Sequence, residues 1–91
     1  MPKDEFEAQL KLALARLAFK EKRWPEAERL YSEVVDSYPQ TSSAPEARYW
    51  RAVSHYKATN DHTVLGQVAQ ELRESAPDSV WTKKASPWLR H

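Results

Sequence analysis

The stretch from Trp24 to Pro39 carries the clearest hydrophobic pattern in the chain. Ala27, Leu30, Tyr31, Val34, Val35 and Tyr38 fall at i, i+3, i+4, i+7, i+8 and i+11. That spacing is one unbroken apolar stripe along an α-helix. Pro25 stands in the first turn, where its missing N–H is tolerated, and Pro39 stops the helix. A helix with one apolar stripe needs neighbours on that side.

Upstream, a helix is predicted from about Asp4 to about Glu21. Phe6, Leu10, Ala13, Leu14 and Leu17 form its hairpin stripe, widened by Leu12, Ala15, Ala18 and Phe19. So wide a stripe implies contacts on two sides. The turn at Lys22 and Arg23 is short, so the two helices must pack antiparallel. Downstream, residues 39–45 read as a loop. Ser43 and Glu46 fit a capping box with Pro45 in the first turn of a third helix, which runs to about Thr59 on Tyr49, Ala52, Val53 and Tyr56. Asn60 suits a left-handed C-cap and Asp61 an N-cap. A fourth helix, about His62 to Ser75, carries Leu65, Val68, Ala69, Leu72 and, just beyond it, Ala76. Asp78 or Ser79 caps a short fifth helix through about Ser86, and Pro87 bends the chain before Trp88 and Leu89.

Composition narrows the function. Ninety-one residues with 41% hydrophobic content and one glycine make one small helical domain. Fourteen cations against thirteen carboxylates lack the basic excess of a general nucleic-acid binder. The absence of cysteine removes disulfides, cysteine zinc sites and thiol catalysis. No apolar run approaches the ~20 residues that span a bilayer, and the first residues are too polar for a signal peptide. The chain is expected to be soluble: cytoplasmic if complete, with a periplasmic location open if it is a fragment. In that second case Met1 would be artificial.

The hairpins repeat. Pro39 and Pro77 stand 38 residues apart, Ala47 matches Ala85 and Trp50 matches Trp88. Two helices per unit at this period mean stacked helical hairpins. The chain resembles the tetratricopeptide repeat family. Leu14, Ala15, Ala27, Tyr31, Val34 and Pro39 stand at that family's spacing, as do Tyr49, Ala52, Val53, Tyr56, Leu65, Ala69, Leu72 and Pro77. The longer loop at 40–43 is similar to bacterial repeats of cell-envelope assembly proteins. Three positions depart from the pattern: Ala18 for an aromatic, Lys22 for the turn glycine and Leu65 for a small alanine. The resemblance implies an all-α fold of two such hairpins (residues 1–39 and 40–77) and a capping helix (78–91). A narrower resemblance, over Tyr49–Asp61 and Ser79–Ala85, is to a helical segment that follows thioredoxin-fold domains. It implies the tail of a larger bacterial protein.

No catalytic constellation is present. His55, His62 and His91 lack partners at metal-ligand spacing, so neither a metal nor another cofactor is expected. Asp61 beside His62 reads as a helix cap rather than half of a catalytic pair. No serine stands in a nucleophile elbow, and one glycine cannot build a phosphate loop. The expected function is therefore protein–protein interaction without enzymatic activity. In stacked hairpins the first helix of each unit lines the concave side. Gln9, Leu12, Arg16, Phe19 and Lys20 would line it on the first helix, and Ala47, Trp50, Arg51, Ser54 and Lys57 on the third. Arg16, Phe19, Lys20, Trp50, Arg51, Ser54 and Lys57 are the candidate contacts to a protein or peptide, acidic by their charge. Trp50 could instead pack beneath Trp81. In the alternative reading the chain is an oligomerisation or docking tail, contacting through Trp81, Trp88 and Leu89. The expected state is a monomer or a weak homo-oligomer, with neither nucleic-acid binding nor membrane insertion.

Overall fold

Helix α1 (Lys3–Lys20) turns back through a tight three-residue connection into α2 (Trp24–Ser37). Lys22 makes that turn with φ 63°, a left-handed conformation that costs a residue with a Cβ roughly 1 kcal/mol. The second hairpin is α3 (Ser43–Thr59) and α4 (Thr63–Ser75), turned at Asn60 with φ 61°. Lys22 and Asn60 are 38 residues apart, as are Pro39 and Pro77. The two hairpins therefore repeat in backbone conformation as well as in sequence. A short α5 (Val80–Ala85) and a 3-10 segment (Ser86–Arg90) follow and pack on α3 and α4. The structure, a computed structural model, describes residues 3–90, so Met1, Pro2 and His91 lie outside the described residues.

The helix ends follow local chemistry. The Asp61 carboxylate accepts the Thr63 N–H at 3.1 Å and the Thr63 hydroxyl at 2.6 Å. The hydroxyl first, then the N–H, hold this carboxyl below its usual range. Ser79 Oγ accepts the Trp81 N–H and caps α5. The capping box expected at Ser43 does not form. Ser43 is buried inside α3, and Glu46 reaches Arg16 instead, at 2.6 Å. A charged hydrogen bond to a guanidinium is stronger than a neutral cap. The start of α3 is fastened to α1: Glu5 accepts both the N–H and the hydroxyl of Ser42.

Two apolar clusters hold the helices. The first joins Ala8, Leu12, Ala15 and Ala18 of α1 to Ala27, Tyr31, Val34 and Val35 of α2 and to Ala47 of α3. The expected face of α2 is therefore the packed one. The expected face of α1 is not. Phe6, Leu10, Leu14 and Leu17 are 46–56% exposed, and the packed face is the opposite, alanine-rich one. Small side chains let two helix axes approach closely, so the alanine face takes the intimate contact. On α3, of the four residues expected to pack, only Ala52 is buried. Ala44, Ala47 and Ser54 are buried as well, and Ala47 belongs to the first cluster. The second cluster is smaller: Ala52, Val68, Ala69, Leu72 and Ala85, flanked by Tyr49, Val64, Trp88 and Leu89.

Tyr31 is 1% exposed, and burial first, then the Glu46 carboxylate, push its hydroxyl up to about 12. The raised value makes stability depend on pH. Its contribution is whole below the free tyrosine value near 10 and is lost as pH rises towards 12, because the unfolded chain ionises first. Denaturant midpoints should fall across pH 10–12. Tyr31→Phe should flatten that fall by roughly 2 kcal/mol, leaving the smaller contributions of Tyr38 and Tyr49, which are raised in the same direction.

Candidate functional site

Helices α1, α3 and α5 lie side by side, with α2 and α4 behind them. Along the first layer runs a row of aromatic rings. Phe19 near the end of α1 meets Trp50 of α3 edge-on at 5.0 Å, and Trp50 meets Trp81 of α5 at 5.9 Å. Trp24 joins at Phe19, at 5.0 Å. Tyr49 bridges to Trp50, Trp81 and Trp88, stacking on the last at 5.1 Å and 23°. All four tryptophans of the chain belong to this network. None of its six rings is fully buried. Edge-to-face pairs at these distances bind the helices to one another, yet each ring keeps a surface towards solvent.

The spacing of the row was visible in the sequence without being recognisable. Phe19, Trp50 and Trp81 are each 31 residues apart, seven fewer than the repeat. Seven residues are two helical turns. Each step therefore passes to the next first-layer helix and back two turns, a stagger that only packed helices reveal.

The structure divides the expected contact residues. Phe19 and Trp50 lie on the row, and Lys20 and Lys57, on the same two helices, are exposed. Arg16 is exposed but its guanidinium is held by Glu46, with Nε at 3.0 Å and Nη2 at 2.6 Å. Arg51 turns the other way, towards α4, where its Nη2 is 3.4 Å from Glu71. Ser54 is fully buried and donates to the Trp50 carbonyl. It cannot meet a partner, and neither can buried Ala47. A lysine that sequence reasoning passed over, Lys84, places its ammonium 4.8 Å from the Trp81 ring centre. Of the three residues of the alternative contact, Trp88 stacks on Tyr49, Leu89 packs on the second cluster and Trp81 closes the aromatic row.

A recess lies between α2, α3 and α4. It holds about 250 Å³ and is lined by Glu28, Arg48, Arg51, His55 and Glu71, among others. Its charges answer one another. Arg48 and Arg51 face Glu71, and His55 Nδ1 is 3.2 Å from Glu28. Arg48 Nε is 3.0 Å from Glu71, an ion-pair distance at an angle that makes no hydrogen bond. Among the described residues no cluster of three His, Cys, Asp or Glu side chains could hold a metal ion, and no helix is long and apolar enough to cross a membrane.

Comparison with known proteins places the first hairpin. The family model described as Tetratricopeptide repeat matches residues 7–41, from the first turns of α1 to just past Pro39. The match does not reach the segment that resembles a thioredoxin-linked tail. Comparisons with curated proteins and with solved structures give no match. Tetratricopeptide repeats are generally protein–protein interaction modules and typically non-enzymatic scaffolds. The matched segment is one tetratricopeptide repeat, and the turn conformation that recurs 38 residues later and the stacked helices are those of a tetratricopeptide-like helical repeat.

Proposed function

We propose that the face formed by Phe19, Trp50 and Trp81 binds an extended, acidic segment of a protein partner. The observation that carries this reading is the continuous row of partly buried rings, each with some surface open to solvent, across α1, α3 and α5. Aromatic side chains offer large contact area at little entropic cost and are enriched among residues that dominate binding energy. Lys84 stands over the Trp81 ring, and Lys20 and Lys57 are exposed on the helices that carry Phe19 and Trp50, available to carboxylates. Arg16 and Arg51 already have carboxylate partners, so the charge of this face rests on the lysines.

The experiment is a titration by tryptophan fluorescence and calorimetry with two capped peptides, one rich in Asp and Leu, the other with each Asp replaced by Lys. The acidic peptide should bind and its affinity should fall with salt. Trp50→Ala should weaken it about 30-fold or more while the circular dichroism of the protein is unchanged. Lys57→Glu with Lys84→Glu should remove most of the salt dependence. Equal binding of both peptides, or full binding by folded Trp50→Ala, would sink the reading.

A further inference from the structure

We propose that two copies of this chain associate through α1, packed antiparallel along Phe6, Leu10, Leu14 and Leu17. These four large side chains are 46%, 56%, 55% and 50% exposed and form one stripe opposite the buried face of Ala8, Leu12 and Ala15. Among the described residues they are four of the five large apolar side chains left exposed. A contiguous stripe of this kind marks an interaction surface, whereas scattered exposed leucines do not.

The second hairpin shows what this face of a first helix does. With the 38-residue repeat set by Lys22 and Asn60, Phe6, Leu10, Ala13 and Leu17 correspond to Ala44, Arg48, Arg51 and His55. In α3 those positions are partly or wholly buried. Ala44 is fully buried, and His55 bonds Glu28 of the helix before it. The matching face of α1 is more apolar than this counterpart, and among the described residues no helix lies on it. It is a seat for a helix.

Charge selects a second α1 as the occupant. At its N-terminal end Asp4, Glu5 and Glu7 outnumber Lys3, and at its C-terminal end Lys20, Lys22 and Arg23 outnumber Glu21. Antiparallel pairing sets each acidic end beside a basic end, twice over, and opposes the helix dipoles. A parallel pair would set like ends together. The antiparallel register also matches Phe6 with Leu17, Leu10 with Leu14 and Lys3 with Glu21 of the second copy. Lys3 and Glu21 share the line of the stripe on the helix surface. The exposed apolar area is on the order of 400 Å² per copy. Doubled, that is about 800 Å², below the roughly 1,200 Å² of standard specific interfaces, so the dimer should be weak and dissociate at micromolar concentration.

Sedimentation of the full chain at tens of micromolar should show about twice the 10.6 kDa mass, dissociating on dilution. A zero-length carbodiimide should join Lys3 to Glu21. These lie about 27 Å apart along one helix, so only two copies can bring them together. Leu10→Glu with Leu14→Glu should sediment as a monomer with an unchanged circular dichroism spectrum, since both side chains are exposed. A chain that is monomeric at every concentration overturns the proposal. So does a dimer that survives the double substitution, a dimer lacking the Lys3–Glu21 link, or growth beyond two copies into a head-to-tail stack.

Discussion

Tyr31→Ala is expected to unfold the chain or leave it barely folded. Tyr31 is the largest fully buried side chain, 1% exposed, where α1 and α2 meet. Removing a buried aromatic of this size costs about 3–5 kcal/mol, through lost burial and through the cavity left behind. The whole stability of a domain of this length is roughly 5–10 kcal/mol. The alanines around Tyr31 cannot refill the space: Ala8, Ala15, Ala18 and Ala27 have no rotamers to reach with. Urea titration followed by circular dichroism should show the midpoint at or near zero denaturant. A midpoint within about 1 kcal/mol of the parent would mean that the first cluster is not what holds the hairpin.

Leu72→Ala should remove about 2–5 kcal/mol, and the loss should be uneven along the chain. Leu72 is fully buried and is the largest such side chain of the second cluster, whose other buried members are Ala52, Val68, Ala69 and Ala85. Deleting it leaves little to join α4 to α3 and α5. In stacked hairpins each unit contacts only its neighbours, so stability is lost locally before it is lost globally. Hydrogen exchange should show α4 and α5 amides losing protection first while α2 amides remain slow. A uniform loss across all five helices would contradict this division into two clusters.

The difference between the two substitutions lies in what each core contains. The first cluster has Tyr31, Val34, Val35 and Leu12 among its alanines. The second leans on one leucine and on the aromatic rings at its edge, Tyr49 and Trp88. Those two rings adjoin the row proposed to meet a partner and also hold the second cluster together. For that reason Trp50→Ala, with Trp50 at the middle of the row, is a cleaner probe of binding than a substitution at Trp88.

Much of the fold was legible locally. Pro39 and Asn60 act through their own backbone, and Asp61 and Ser79 accept the backbone N–H two residues on with their own side chains, so their roles follow from residue type. The stripes of α2 and α4 were legible because each of those helices has one apolar face. The capping box expected at Ser43 is absent because Glu46 has a distant partner, Arg16, that no local rule contains. Arg51 and Ser54 were assigned to a partner-binding surface by helical spacing alone. Spacing gives the angle between residues on a helix but not which angle faces a neighbour.

Helix α1 divides the two kinds of information most sharply. The sequence by itself determined that this segment is helical, where it turns, and that it carries apolar residues on two sides. Only the tertiary structure decided which side enters the core. Large side chains weigh most in a hydrophobic pattern, and they pointed to Phe6, Leu10, Leu14 and Leu17. Close helix packing favours small ones, and Ala8, Ala15 and Ala18 took the contact with α2. The larger residues were left outward. The same decision created both surfaces of interest: it turned Phe19 to meet Trp50 at one end of the aromatic row, and it left the leucine stripe open to a second chain.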